Sequence, residues 1–476
     1  MSLHHYNFLS LIIAINIGLP NFGFAEHSTS IDPELLNPIV SQKKEKDPER
    51  WFETKNSRNT FPLKHQINGL DYDEEDLFTI GRSFFTIPWV AAPSATTARD
   101  GLGPLFSANT CVSCHGKRNF GYIKNEQGHI NRALAFKFVN LSKTYDFNQT
   151  FKAQYTDPIY GGQLSINGNS GAPFEAKPQI EFETRVEQFD DGTKVTLQKP
   201  IATIYNENYG KLAPQTHISL RMAPMLAGMG LIEALTDEQI IANEDPNDRD
   251  NDGISGRVNW VYHPYTHQKM VGRFGLKAQA PTLAVQTADA AAHDMGLTNR
   301  FFPKENCMKA QTECLNAPIG RPSPEGLLDL PDLRLKGIAF YVAHLKAPKQ
   351  RPKDQFVEGY KLFNDLGCIS CHKENWTTPS GIAFSPFSDF LIHDMGEGLA
   401  DKRNEYTAQG VEWRTQPLWG LGIKLRAKLG LLHDGRAKTI EQAVFWHDGE
   451  AKEVKKRFKA LPKEQRQQLI EFLENL

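Results

Sequence analysis

Excess charge of one sign is nearly absent here: 54 Lys and Arg stand against 56 Asp and Glu, a formal net charge of −2 over 476 residues. That balance supplies no electrostatic case for nucleic acid as a partner. Long hydrophobic runs are absent as well. Residues 8–19 (FLSLIIAINIGL) form one short apolar run, too short for a membrane span, and no later stretch is apolar enough to cross a bilayer. No period of 20–50 residues recurs, which excludes a repeat array. Cysteine is scarce, with six in the chain. The chain is long enough for two or three domains.

The short apolar run is followed by Gly23-Phe24-Ala25, which puts small residues at the −3 and −1 positions of a cleavage site. Residues 1–25 therefore read as a signal peptide, with only His4, His5 and the terminal amine in place of Lys or Arg at its start. Export, periplasmic or otherwise, is expected, with no membrane span after cleavage.

Four of the cysteines occur as Cys111-Val-Ser-Cys114-His115 and Cys368-Ile-Ser-Cys371-His372. Two Cys with two residues between them and His directly after is the attachment pattern of c-type haem. The spacing sets the two sulfurs at the separation of the haem vinyl groups, and the His comes under the ring as an axial ligand. A CxxC pair can also be a redox dithiol, a zinc half-site or a disulfide. The dithiol reading lacks its βαβ context. A zinc site would need both pairs, which lie about 250 residues apart, each with its own His. Two covalent haem c groups are expected, and haem c is attached outside the cytoplasm, in keeping with the signal. The remaining Cys307 and Cys314 read as a local disulfide, the alternative being two free thiols.

The rest of the chain divides around these motifs. Residues 26–75 are a polar N-terminal extension, expected to be an exposed arm or a linker. Residues 76–347 form an N-terminal haem domain, and residues 348–476 a C-terminal cytochrome c domain that opens with a helix running into its motif and closes with the amphipathic LPKEQRQQLIEFLENL. EFETRVEQF-DDG-TKVTLQKP alternates apolar and polar residues around a turn, the pattern of a β-hairpin inserted in the first domain. HISLRMAPMLAGMG reads as a loop before a helix, and Thr236 as the N-cap of a further helix. The expected fold is mainly α: two cytochrome c-like haem domains with long loops and a small β-hairpin. His-Asp-Met-Gly occurs twice, at 293–296 and 393–396.

Asp248, Asp250 and Asp252 precede Gly253 at the spacing that opens a calcium loop, with the carbonyl of Ile254 at its seventh position. Position twelve is Asn259, so the loop is not a full EF-hand. The competing reading is a solvated acidic turn.

From Pro88 onward the chain resembles the bacterial dihaem oxidoreductase family, whose members are named peroxidases and in places thiol oxidoreductases. The resemblance rests on PWVAAPS, DGLGPLF, CVSCHG, PIYGGQL, DRDNDGISGRVN, GRFGLKA, DMGLT, GCISCH, FSDFLIHDMGEGLAD, EWRTQPLWGLG and LLHDGRAKTIEQAVFWHDGEA, in order along the chain. The His after each CxxC argues against the thiol label. The C-terminal domain also resembles those of dihaem cytochrome c peroxidases and of the methylamine-utilisation dihaem enzyme. In such relatives a distal haem ligand follows an HDG turn by fourteen residues. Here the turn is His433-Asp434-Gly435 and the corresponding residue is His447. The resemblance thus implies bis-His ligation of the second haem by His372 and His447; the alternative is that His447 only caps a helix.

For the first haem the resemblance is confined to Arg221-Met-Ala-Pro224. Arg221, Glu233 and His217 are its catalytic candidates, and the last two serve equally well as structural residues. His293 and His393 are further spare histidines. The Trp that relays electrons between haems in these relatives has no counterpart after Pro224, leaving Trp260 or Trp89 as candidate bridges. The expected function is an exported, peroxidase-like dihaem oxidoreductase, taking peroxide and electrons from a donor protein or small molecule. The alternative is a non-catalytic dihaem electron carrier. Calcium is a possible further ligand.

Overall fold

The computed structural model describes residues 31–53, 64–96, 98–116, 122–125, 127–143, 145–318, 320, 328–349 and 355–476. The expected signal peptide lies outside them. The fold is not mainly α: 28% is helical and 20% is strand, in many small sheets. The correction has a local cause. Thr216–Met222, read from sequence as a loop, alternates Ile218, Leu220 and Met222 with His217, Ser219 and Arg221. It pairs antiparallel with Leu134–Asn140, in a register that places Phe138 opposite Ile218. Its partner lies far back in the chain, so the alternation alone did not reveal a ladder. The remaining sheets are also two-stranded, built where backbone must stay hydrogen-bonded while wrapping a site.

Three helices make the framework of the N-terminal half. Tyr72–Thr86 starts at a capping box: the Asp71 carboxylate accepts from the Glu74 N–H, and the Glu74 carboxylate accepts from the Asp71 N–H. It buries Phe78, Gly81, Phe84 and Phe85 at helical spacing. That face crosses Asp332–Ala343 where Gly81 meets Gly337 backbone to backbone, leaving no room for a Cβ on Gly81. Leu283–Met295 packs on the same central helix, starting at the Thr282 cap and ending at Gly296, whose φ of +66° suits glycine. Thr236 caps Asp237–Ile241 as expected.

The polar extension is not an exposed arm. Leu35, Val40, Trp51 and Phe52 are buried in the main core. Trp51 and Glu53 exchange backbone hydrogen bonds with Ala347, at 2.8 and 3.0 Å. Isolated apolar residues among charges carry no period, yet each covers a gap in the core.

In the C-terminal half Val357–Asp365 packs against the closing helix Lys463–Leu473 over Phe363, Phe387 and Phe472. The halves are not separate cores, since Trp376, Phe384, Phe390 and Trp419 belong to the cluster of Trp51 and Phe78. The hairpin forms as expected, Lys177–Gln188 against Lys194–Tyr205, closing at Gln188 opposite Lys194. Cys307 and Cys314 are joined in a disulfide. Among the described residues no helix is long and apolar enough to cross a membrane.

Candidate haem centres

The first motif sits on the single turn Val112–His115. Thr110 fixes its start, accepting from the Ser113 N–H at 3.0 Å. His115 lies at its end, and its Nδ1 is 3.1 Å from the Pro224 carbonyl. A carbonyl only accepts, so Nδ1 carries the proton and Nε2 presents a lone pair. Burial pushes the imidazole toward its neutral form, the state in which it ligates a metal. Phe85 flanks the ring.

The second motif repeats this logic. The helix Val357–Asp365 ends before Gly367, at φ +91°, and the chain enters the 3-10 turn Cys368–Ser370. His372 donates Nδ1–H to the Phe387 carbonyl at 2.9 Å, and burial lowers its pKa to about 4. His447 follows the short helix Ile440–Trp446, occupies its C-cap, and donates Nδ1–H to the Ala443 carbonyl at 2.7 Å. The His447 charge, after burial, adds to the lowering of the His372 pKa. Both residues have an Nε2 without a hydrogen-bond partner among the described residues.

Cys111, Cys114, Cys368 and Cys371 are not joined in disulfides. Burial pushes the first three thiols up to about 12. A thiol so poorly ionised at neutral pH is a weak dithiol nucleophile.

The repeated His-Asp-Met-Gly acquires a physical account: each copy lies against a haem motif. The Asp294 carbonyl accepts from the N–H groups of Ser107 and Ala108, and its carboxylate acts on Cys111, Cys114 and His115. His393 lies 3.7 Å from the Cys371 sulfur, held between Asp389 at 2.8 Å and Glu450 at 2.7 Å. The buried Asp389 carboxylate, followed by Cys371, raises its pKa well above the ordinary value against the effect of burial, so it stands as an imidazolium. His293 is placed differently. It keeps 31% of its side-chain surface accessible. Asp289 fixes its Nδ1 at 3.0 Å, and its Nε2 has no partner among the described residues.

The catalytic candidates are not gathered at one point. Glu233 is fully buried and accepts from the N–H of Leu283 at 2.8 Å, capping the helix Leu283–Met295; burial raises its pKa to about 7. His217 sits on the strand opposite Val139. Arg221 is buried against Asp401 at 2.6 Å and Glu405 at 3.5 Å, with Lys277 on the other oxygen of Asp401. Arg221 and Lys277 both lie over Trp413, at 4.7 and 4.2 Å, and Trp413 stacks on His433 of the HDG turn at 3.8 Å.

Trp413 escaped the sequence reading. It pairs across strands with His393, beside Cys371. On its other side Arg221 begins the stretch that reaches Pro224, the acceptor for His115. A buried aromatic thus stands between the supports of the two motifs. Trp89 packs on Phe84 and Trp260 lies under Lys269; neither has this position. The pairing of the second HDMG with EWR was the signal that could have found it.

Asp248, Asp250 and Asp252 bring one oxygen each to within 4.8 Å of one another. The Ile254 N–H donates to Asp252 at 2.9 Å, and the next residue, Ser255, donates to Glu450.

Residues 52–476 match the family described as di-haem oxidoreductase, putative peroxidase. The chain belongs to the di-haem oxidoreductase family. No curated protein and no solved structure matches it. Two haems follow for this di-haem oxidoreductase from its family. The residues fit them: two CxxCH turns, each with its His Nδ1 committed to a carbonyl and Nε2 left unpaired.

Proposed function

We propose that this di-haem oxidoreductase is an exported, peroxidase-like enzyme with two covalently attached haem c groups of unequal role. Cys111 and Cys114 carry the first through thioether bonds, with His115 as axial ligand; Cys368, Cys371 and His372 do the same for the second. His447 closes the other side of the second haem and makes it an electron-transfer centre, at a lower potential than a His/Met pair would set. The bound haems supply iron that exchanges single electrons. The overall reaction takes hydrogen peroxide, two electrons and two protons to two waters. The electrons come from a donor protein or a small molecule.

The observation that carries this reading is an asymmetry. His447, with Nδ1 held by the Ala443 carbonyl, acts on His372, as does His393; no imidazole is among the groups acting on His115. At the first centre His293 takes the proton-transfer role: with Nδ1 held by Asp289, Nε2 is free to accept a proton from peroxide and return it to the departing water. Glu233 and Arg221 instead support the backbone and the charge network around Trp413, which provides the aromatic step between centres. The acidic loop at Asp248, Asp250, Asp252 and the Ile254 carbonyl binds calcium beside the second centre.

The alternative, a closed electron carrier, is favoured by the same free Nε2 of His293 if it binds iron. Visible and EPR spectra of the full-length protein separate the two. The expected result is one low-spin and one high-spin ferric haem and consumption of stoichiometric peroxide, with His447→Ala converting the low-spin signal to high-spin. Two low-spin haems inert to peroxide would establish the carrier instead. Haem staining that survives denaturing electrophoresis checks the covalent attachment.

A further inference from the structure

The hairpin Lys177–Gln188/Lys194–Tyr205 reaches from the N-terminal half to the C-terminal half. Its base belongs to the sheet side of the N-terminal half: Ile180 and Phe182 pack with Phe136 and Phe138 on Leu134–Asn140. The strand paired with that one, Thr216–Met222, runs on to Pro224 and so to His115. The far end of the hairpin lands on the C-terminal half. Phe189, only 3% exposed, lies edge-on to Phe445 at 4.8 Å and Phe458 at 5.4 Å. Arg466 covers its ring at 3.9 Å and pairs with Asp191 at 2.8 Å. The Asp190 N–H donates to the Lys459 carbonyl.

Three of the landing points fall on one short helix. Gln442 donates to the Thr196 carbonyl at 2.9 Å, Phe445 meets Phe189, and the Arg185 guanidinium lies 4.3 Å over the Trp446 ring, which also carries Arg436 at 4.5 Å. The next residue is His447. A helix of seven residues has no intrinsic stability to fix its own orientation, and a two-stranded ribbon is marginal until it docks. Each therefore depends on the other.

We infer that the hairpin is a positioning clamp for His447, with Arg185 and Phe189 as positioning residues. Through it the N-terminal half decides whether the second haem keeps its distal ligand. This rests on the reading of His447 as that ligand. Docked, the hairpin holds the last turn of Ile440–Trp446 so that Nε2 of His447 faces His372. Released, it frees the turn to swing, and the second centre opens to exogenous ligands.

The test uses the full-length protein with both haems. Arg185→Ala removes the Trp446 ring contact and an exposed 3.6 Å ion pair to Glu187 from a side chain that is 47% exposed, so the fold is retained; Phe189→Ala removes the buried anchor, and Phe189→Leu restores apolar filling. Both alanine variants are expected to give the second haem a partial high-spin signal and at least a tenfold gain in affinity for added imidazole. The first haem's spectrum should stay unchanged, and Phe189→Leu should recover most of the low-spin signal. His447→Ala is the reference for full opening. If His447→Ala opens the second haem while Arg185→Ala and Phe189→Ala leave it low-spin and closed to imidazole, the clamp is overturned and the ligand reading stands. If His447→Ala itself changes nothing, the ligand reading fails and takes the clamp with it.

Discussion

At the scale of single residues, the buried carboxyl of Glu175 shows how burial and hydrogen bonding compete. It is 2% exposed and accepts from the Ser165 N–H at 2.5 Å and the Gln311 amide at 2.6 Å, yet desolvation raises its pKa to about 8. The folded pKa therefore lies above the unfolded one. Between about 4.5 and 8 the unfolded chain ionises while the folded chain stays protonated, so this group's contribution to stability falls as pH rises through that window, and it is restored below it. The fall is at most about 1.4 kcal/mol per pH unit. Denaturant unfolding of Glu175→Gln between pH 5 and 8 is expected to show a flatter profile than the parent; an unchanged slope would refute the assignment. His393 illustrates the opposite balance. The Asp389 carboxylate, together with Cys371, outweighs its burial and keeps it charged.

At the scale of elements, the contact between Tyr72–Thr86 and Asp332–Ala343 is governed by two glycines. Gly81 and Gly337 let the backbones approach until a Cβ on Gly81 would collide with the Gly337 carbonyl. The first helix supplies Phe85 to the ring of His115 and the second supplies Tyr341 to Phe85. Gly81→Ala must push the helices apart at the wall of the first centre. A loss of about 1–3 kcal/mol, the range for overpacking, is expected in denaturant unfolding, together with a perturbed spectrum of the first haem alone. The hairpin makes the complementary point. Its alternation and Asp-Asp-Gly turn were legible because turn chemistry and strand period act within a few residues. Phe189 lies at its tip, and nothing local marks that side chain as an anchor in a distant aromatic cluster.

At the scale of the whole molecule, the ties between the halves include the shared core, the hairpin, the charge network of Arg221 and Lys277 on Asp401, and the chain of contacts from the acidic loop to the second centre. In the last, Ser255 binds Glu450, Glu450 holds His393, and His393 lies 3.7 Å from the Cys371 sulfur. A cation on Asp248, Asp250 and Asp252 would brace that chain. Chelation with EDTA is expected to lower the melting temperature, and calcium in excess to restore it, because an ion that binds only the folded state stabilises it in proportion to RT ln(1 + [L]/Kd). Identical melting with and without chelator would show the loop to be a solvated turn.

What the sequence by itself determined is everything written within a few residues. The two CxxCH turns, the cap at Thr236, the hairpin and the acidic loop each follow from covalent spacing or a local hydrogen bond. The resemblance of its motifs extended that reach to His447, fourteen residues beyond its turn. The tertiary structure decided the rest. It gave the strand at Thr216–Met222 its partner, buried Trp51 and Phe52 of an arm that looked exposed, and drew Arg221, Trp413 and His433 into one stack. It also gave the two alike peptides different surroundings, since the charges of His447 and His393 act on His372 while the Asp294 carboxylate acts on His115. These outcomes depend on residues far apart in the chain. Their contacts carry no period or spacing, and only packing brings them together.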